Sequence, residues 1–148
     1  MLDLAGLSNL AGLKIVILQT MNCHCGNHKT YQECCEIFHL NHGKTDTAEQ
    51  LMRSRYSAFV LANGDYLMAT HHKSTRQIKE KKAIVKWAKS VQWIRLEVLE
   101  TTKGSENDTE GTVTFNAYFF ENGKVDIIHE KSAFVKENEQ WFYLGLSQ

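Results

Sequence analysis

From Thr47 to Leu61, apolar residues recur at Ala48, Leu51, Met52, Tyr56, Phe59 and Val60, the three-and-four spacing that turns one face of an α-helix inward. Thr47 stands where it can cap that helix, with Gln50 three residues on. Asn63-Gly64 ends it, and Asp65 is placed to cap a short helix through Ala69. Ser74 or Thr75 opens a lysine-rich third helix to about Lys89, with Ile78, Val85 and Ala88 on one side. After Ser90 the period changes to two. Trp93 to Thr101 sets Ile94, Leu96 and Val98 on one face, and Gly111 to Phe120 does the same with Val113, Phe115, Ala117 and Phe119. Glu121-Asn122-Gly123-Lys124 reads as a hairpin turn. Val125 to Lys136 and Gln140 to Leu146 supply two further strands, joined at Glu137-Asn138-Glu139. Helices first and a meander afterwards predict an α+β fold, a cone-shaped domain of helices packed on a curved antiparallel sheet.

Composition narrows the class. The chain has 148 residues, 43% hydrophobic and 23% charged, which excludes a disordered chain and a disulfide miniprotein. No proline is present, so proline-rich linkers are excluded too. Basic and acidic residues both number 17, but they are unevenly spread. Residues 73–95 carry eight basic side chains against one Glu, and residues 97–148 carry four Lys against ten acids. No apolar run approaches the roughly 20 residues a bilayer needs, so no membrane span is expected. The first twenty residues lack the positive start and the small-residue cleavage site of a signal peptide, which points to a cytoplasmic protein. Met21, two residues before Cys23, is a second candidate start, and residues 1–21 read as an extension with no role in the fold.

Cysteine use is the most specific chemical signal. Cys23, Cys25, Cys34 and Cys35 fall within thirteen residues, and no other cysteine occurs. A disulfide framework spreads its cysteines to staple distant loops. A cluster spaced Cys-x-Cys-x8-Cys-Cys instead supplies the four thiolates that tetrahedral Zn2+ takes in a structural site. Such a closed shell leaves no position for water, so it predicts structure or recognition and not hydrolysis. His24, His28 and His39 read as surface residues beside it.

The run Cys23-His24-Cys25-Gly26-Asn27-His28-Lys29-Thr30-Tyr31-Gln32-Glu33-Cys34-Cys35 resembles the SEC-C motif, the zinc module named for the tail of the SecA translocase ATPase. Thr47 to Phe59, Asp65-Tyr66-Leu67, His72 with Ser74-Thr75-Arg76, Asp108 to Val113, His129 to Ser132 and Trp141-Phe142-Tyr143 resemble the YchJ-like family. That resemblance implies a SEC-C motif at residues 22–43, a nuclear-transport-factor-2-like domain at residues 44–148, and Cys23, Cys25, Cys34 and Cys35 as zinc ligands. By analogy with the translocase it also implies an adaptor role toward a protein partner, a warrant from association.

A second candidate site lies in the cone. Arg55 falls on the apolar side of the first long helix, four residues from both Leu51 and Phe59. On the third strand Ile128, Glu130, Ser132 and Phe134 share a face, which predicts an inward Glu130 paired with Arg55. Such a pair is more often structural than functional. The candidate pocket is Arg55, Tyr56, His72, Glu130 and Ser132, with His72 preferred over His129 as proton carrier because His129 has the opposite strand parity. No nucleophile–base motif supports an enzyme, and no catalytic residue is assigned. The basic stretch from Lys73 to Arg95 is the candidate for ribosome or RNA contact, against its simpler reading as a solvated helix face.

Overall fold

The computed structural model describes residues 21–148; the N-terminal extension up to residue 20 lies outside the described residues. Among the described residues four α-helices come first, α1 (Cys35–Leu40), α2 (Ala48–Val60), α3 (Gly64–Ala69) and α4 (Lys81–Ser90). Four strands follow, β1 (Gln92–Lys103), β2 (Glu110–Glu121), β3 (Lys124–Glu137) and β4 (Gln140–Leu146), paired in that order as one antiparallel sheet. The fold is α+β, as the change of period predicts. Among the described residues no helix is long and apolar enough to cross a membrane.

α2 is the central strut. The Thr47 hydroxyl accepts from the Gln50 amide at 3.1 Å, and the Gln50 side chain reaches back to the Asp46 amide at 2.7 Å. One orphan donor of the helix and the amide of the residue before its cap are thereby satisfied. The helix buries Ala48, Leu51, Met52, Arg55, Tyr56 and Ala58 against a core that includes Tyr66, Leu67, Val113, Phe134 and Trp141. Trp141 is fully buried and its indole N–H donates to the Asp46 carbonyl at 2.9 Å. The start of α2 is also moored to the β1–β2 loop, where the Ala48 amide donates to the Gly104 carbonyl at 3.0 Å. Gly104 and Gly111 approach so closely there that a Cβ on Gly111 would sit 2.5 Å from the Gly104 Cα.

Three local expectations are corrected. Asn63, not Asp65, caps α3, its side chain accepting from the Tyr66 amide at 3.0 Å; Asp65 is exposed and pairs with Lys81. The third long helix begins at Lys81 and not near Ser74. Between them His72 gathers the chain into a turn, its carbonyl accepting from Thr75 and Arg76 and its Nδ1 from the Ser74 amide, and such local bonds compete with helix formation. Ile78 is left 66% exposed in a 3-10 turn. In β1 the alternation breaks. Trp93 pairs with Phe119 and Leu96 with Ala117, so three residues of β1 advance against two of β2. This bulge turns Ile94 out to solvent, 49% exposed, and brings Trp93 to the inner face with Leu96.

The last joint positions the cavity. The Tyr143 amide donates to the Thr70 carbonyl and the His72 amide donates to the Tyr143 carbonyl, both at 2.8 Å. The chain leaving α3 is thus stitched in parallel to the β4 edge through His71 and Tyr143.

Candidate functional site

The four cysteines converge. Their sulfur atoms lie within 4.8 Å of one another and all four residues are buried. Cys25 and Cys34 are 3.7 Å apart, and Cys34 and Cys35 are 4.0 Å apart. Gly26 turns the loop with φ +91°, a left-handed value that costs glycine little. Among the sulfurs, hydrogen bonds from Cys25 and Cys35 hold the Cys23 thiol well below its ordinary value. The same bonds, with burial, push Cys25 up to about 12 and Cys35 further. Protons alone therefore leave the cluster short of four thiolates. A bound cation removes that conflict, since it compensates the charge that the sulfurs impose on one another. Four converging sulfurs form a donor set fit for a metal ion.

The cluster is fastened to α2. Arg53 Nη1 donates to the Cys25 carbonyl at 2.6 Å, and its Nε donates to Glu49 at 2.9 Å. Cys35 Sγ lies 3.7 Å from the Arg53 carbonyl, and Cys23 Sγ lies 3.7 Å from the Ser57 hydroxyl. His39 adds a second tie. Its Nε2–H donates to the Ser54 carbonyl at 2.8 Å, which leaves Nδ1 to accept from the Tyr31 hydroxyl at 2.8 Å. Burial lowers the proton affinity of His39, in keeping with a neutral ring. His39 is thus a packing residue half-buried under the cluster, not the surface residue that the sequence predicts. His24 and His28 are exposed.

A cavity of about 220 Å3 opens between α2, α4 and the sheet. Met52, Phe59, Ile84, Trp87, Trp93 and Phe115 supply apolar wall, while Arg55, Tyr56, His71, Glu130, Ser132 and Tyr143 supply polar atoms. Arg55, Tyr56, Glu130 and Ser132 of the predicted set line it. His72 does not. Its Nε2 donates to Glu137 at 2.7 Å away from the cavity, because the β4 stitch turns successive residues to opposite sides and presents His71 instead. His129 lies exposed on the other face of the sheet, 2.7 Å from Asn116.

No direct ion pair joins Arg55 to Glu130. Arg55 Nη1 donates to the Leu67 carbonyl at 2.9 Å and to the Thr70 hydroxyl at 2.7 Å. These acceptors at the C-terminal end of α3 compensate the guanidinium, with Glu130 adding attraction from a distance. The guanidinium lies over the Tyr143 ring, 4.5 Å from its centroid. The Tyr143 hydroxyl in turn donates to Glu130 at 3.2 Å, and the Ser132 hydroxyl donates to the same carboxylate oxygen. Burial pushes Arg55 down to about 10, which keeps it charged at neutral pH, and pushes Tyr143 up to about 12. Tyr143, Thr70 and His71 are the residues missed from sequence. Only the pairing of residues 70–72 with β4 brings His71 and Tyr143 to the cavity and Thr70 to Arg55, and no periodicity signals an isolated bridge.

Comparison with known proteins agrees with this architecture. The family model for the YchJ middle NTF2-like domain matches residues 47–145. A UPF0225 protein of Vibrio parahaemolyticus is 47% identical over 123 residues, covering 83% of this chain and 72% of that protein. A UPF0225 protein of Vibrio cholerae is 42% identical over 124 residues, covering 84% and 81%. The solution structure of a SEC-C motif containing protein from Rhodopseudomonas palustris superposes with a TM-score of 0.77 at 31% identity, covering 86% of this chain and 98% of that one. The crystal structure of a SEC-C motif containing protein from Psychrobacter arcticus gives 0.73 at 32% identity, covering 89% and 86%. With its cysteine cluster set beside a cone of helices on a curved sheet, the chain belongs to the YchJ-like UPF0225 family of SEC-C proteins.

Proposed function

We propose that this is a zinc-binding interaction protein, in which residues 22–43 form a metal-crosslinked knuckle and residues 44–148 the domain that carries it. The observation that supports this is the convergence of four buried sulfurs within 4.8 Å. In a tetrahedron with Zn–S near 2.3 Å the sulfurs stand about 3.8 Å apart, and the Cys25–Cys34 separation is 3.7 Å. An all-thiolate set selects zinc over the oxygen-seeking cations, and its closed shell assigns the ion a structural role. Thiolates stay on metal in a reducing compartment, which fits a cytoplasmic location. His24, Asn27, His28 and Lys29 are exposed around the knuckle and form the surface offered to a protein partner.

Metal analysis of protein purified without added zinc is expected to find one zinc per chain, and Cys25→Ser to remove it. Iron with cluster absorbance overturns the assignment. For the partner, a His28→Asp and Lys29→Glu variant should keep its zinc and lose the proteins that wild type captures. Capture that survives this change but is abolished by ribonuclease, or by Lys82→Glu with Lys86→Glu, transfers the role to the basic stretch and to RNA.

A specific observation favours a second reading for the other domain, that the cone binds a small ligand. Its interior is not filled by Phe115, Phe119 and Trp141 but keeps a cavity of about 220 Å3 with Arg55 and Glu130 in its lining. An engineered cavity of about 150 Å3 takes up benzene, so this one has room for one or two rings.

A further inference from the structure

The cavity is lined by polar atoms that the fold leaves unused. Arg55 commits Nη1 to the end of α3, yet Nε and Nη2 have no protein partner among the described residues. Glu130 commits Oε2 to Ser132 and Tyr143, and Oε1 has none. The Tyr56 hydroxyl has no partner among the described residues either. Among the described residues none of these is a fully buried unsatisfied atom. They therefore retain accessible surface, and all three residues line the cavity. Around them the lining carries the rings of Trp87, Trp93, Phe59 and Phe115, with Phe115 the cross-strand neighbour of Glu130 and Trp93 against Tyr56. Trp93 is edge-on to Tyr56 and Trp87, and Trp87 edge-on to Phe119, so the rings brace one another.

Charge decides which ligand fits. Arg55 and Glu130 lie on the two ends of the same Tyr143 side chain, the guanidinium over its ring and the carboxylate at its hydroxyl. An anionic head group gains from Arg55 but meets Glu130; an ammonium gains from Glu130 but meets Arg55. Inside a low-dielectric site an uncompensated charge is expensive. A neutral group that accepts on one side and donates on the other satisfies both, and leaves no charge to desolvate. Carboxamides, lactams and imides have that edge, and on a flat ring they also fit the aromatic walls.

We propose that the cone cavity is a binding site for a small, flat, uncharged aromatic amide or lactam, its carbonyl accepting from Arg55 and its N–H donating to Glu130. This presupposes that the cone is a ligand chamber, and the test separates the two. Benzamide, benzoate and benzylamine share one ring and differ in the charge of the head group. Each is titrated into the zinc-loaded full chain while backbone amide shifts are followed by NMR. Benzamide is expected to shift the amides around Tyr56, Phe115 and Tyr143, with a Kd of about 1 mM, at least tenfold tighter than the other two. Glu130→Gln, which offers a donor where wild type has only acceptors, should narrow the preference for benzamide over benzoate at least fivefold. Equal or tighter binding of benzoate or benzylamine at those amides overturns the ligand class and leaves the chamber standing. Silence from all three overturns both. The wild-type ranking is decisive without the variant.

Discussion

Arg53 of α2 donates to the main-chain carbonyl of Cys25 at 2.6 Å, and this bond links the two parts of the protein through the loop that carries two of the four sulfurs. Glu49, one turn earlier, holds the other edge of the same guanidinium at 2.9 Å. The cysteine cluster is therefore oriented by a residue that is not part of it. Partners of this kind typically contribute 10–100-fold in metal affinity.

Arg53→Ala is accordingly expected to lower zinc affinity by about tenfold while leaving all four cysteines in place. Competition with a chromophoric chelator measures it. Zinc retention equal to wild type would show that the Arg53 bond does not hold the loop.

Removal of the metal is expected to loosen residues 22–43 and leave the sheet protected. The knuckle's own core is the four cysteines with Tyr31, whereas the domain packs around Leu51, Tyr66, Val113 and Trp141. Hydrogen exchange after chelation should show fast amides through α1 and unchanged protection in β2 and β3. Exchange rising across the whole sheet would mean that the two parts fold as one unit.

Much of this was legible in the residues, and the failures share a cause. The β2 face of Val113, Phe115, Ala117 and Phe119 is buried as alternation predicts, because that strand is central and regular. Neighbouring β1 carries bulges, and one extra residue reversed the side of Ile94. The four cysteines announced themselves by spacing, since their chemistry is local in sequence. The cavity did not. Helical spacing puts Arg55 on the apolar side of its helix, but the end of α3 that compensates it, and the Tyr143 ring beneath it, are contributed by distant segments. His71 against His72 turned on one backbone bridge. Periodicity reports which way a residue faces within an element and nothing about an element's ends.

The β3–β4 turn offers a stabilising change. Asn138 and Glu139 both have positive φ, 51° and 63°, as a two-residue type I′ turn requires. Asparagine tolerates that region and glutamate does not. Glu139→Gly should raise stability by about 0.5–1 kcal/mol, read as a higher midpoint in urea. An unchanged or lower midpoint would show that the unfolded-state freedom gained by glycine offsets the relief.

Stability should depend on pH through His71. Burial, with Arg55 and Arg76 nearby, pushes it from 6.5 down to about 4. The unfolded chain takes up this proton below about 6.5, and the fold refuses it until about 4. The contribution is therefore constant above pH 6.5 and is lost progressively as pH falls toward 4. His71→Gln cannot titrate. The urea midpoint of wild type should fall more steeply than that of the variant between pH 7 and 5, and parallel curves would contradict the burial argument. Comparing slopes removes the contributions that the two proteins share, His39 among them.

Arg55 and Glu130 should prove energetically separable. If they formed a buried ion pair, losing either would strand the other and cost about 3–5 kcal/mol. Their hydrogen bonds indicate otherwise. Arg55 secures the Leu67 carbonyl and Thr70, and both bonds vanish in Arg55→Met, which should cost about 2–3 kcal/mol, the range for hydrogen bonds to a charged group. Glu130 accepts from Ser132 and Tyr143, and the carbonyl of a glutamine accepts from the same donors. Glu130→Gln should therefore cost less than about 1 kcal/mol. The double variant should then depart from the sum of the single ones by less than about 1 kcal/mol, because the two residues share Tyr143 as a partner but no direct bond. Urea denaturation of the four proteins completes the cycle. A coupling above about 1.5 kcal/mol would mean that the charges hold each other across Tyr143, and that the end of α3 is not the principal counter-charge of Arg55.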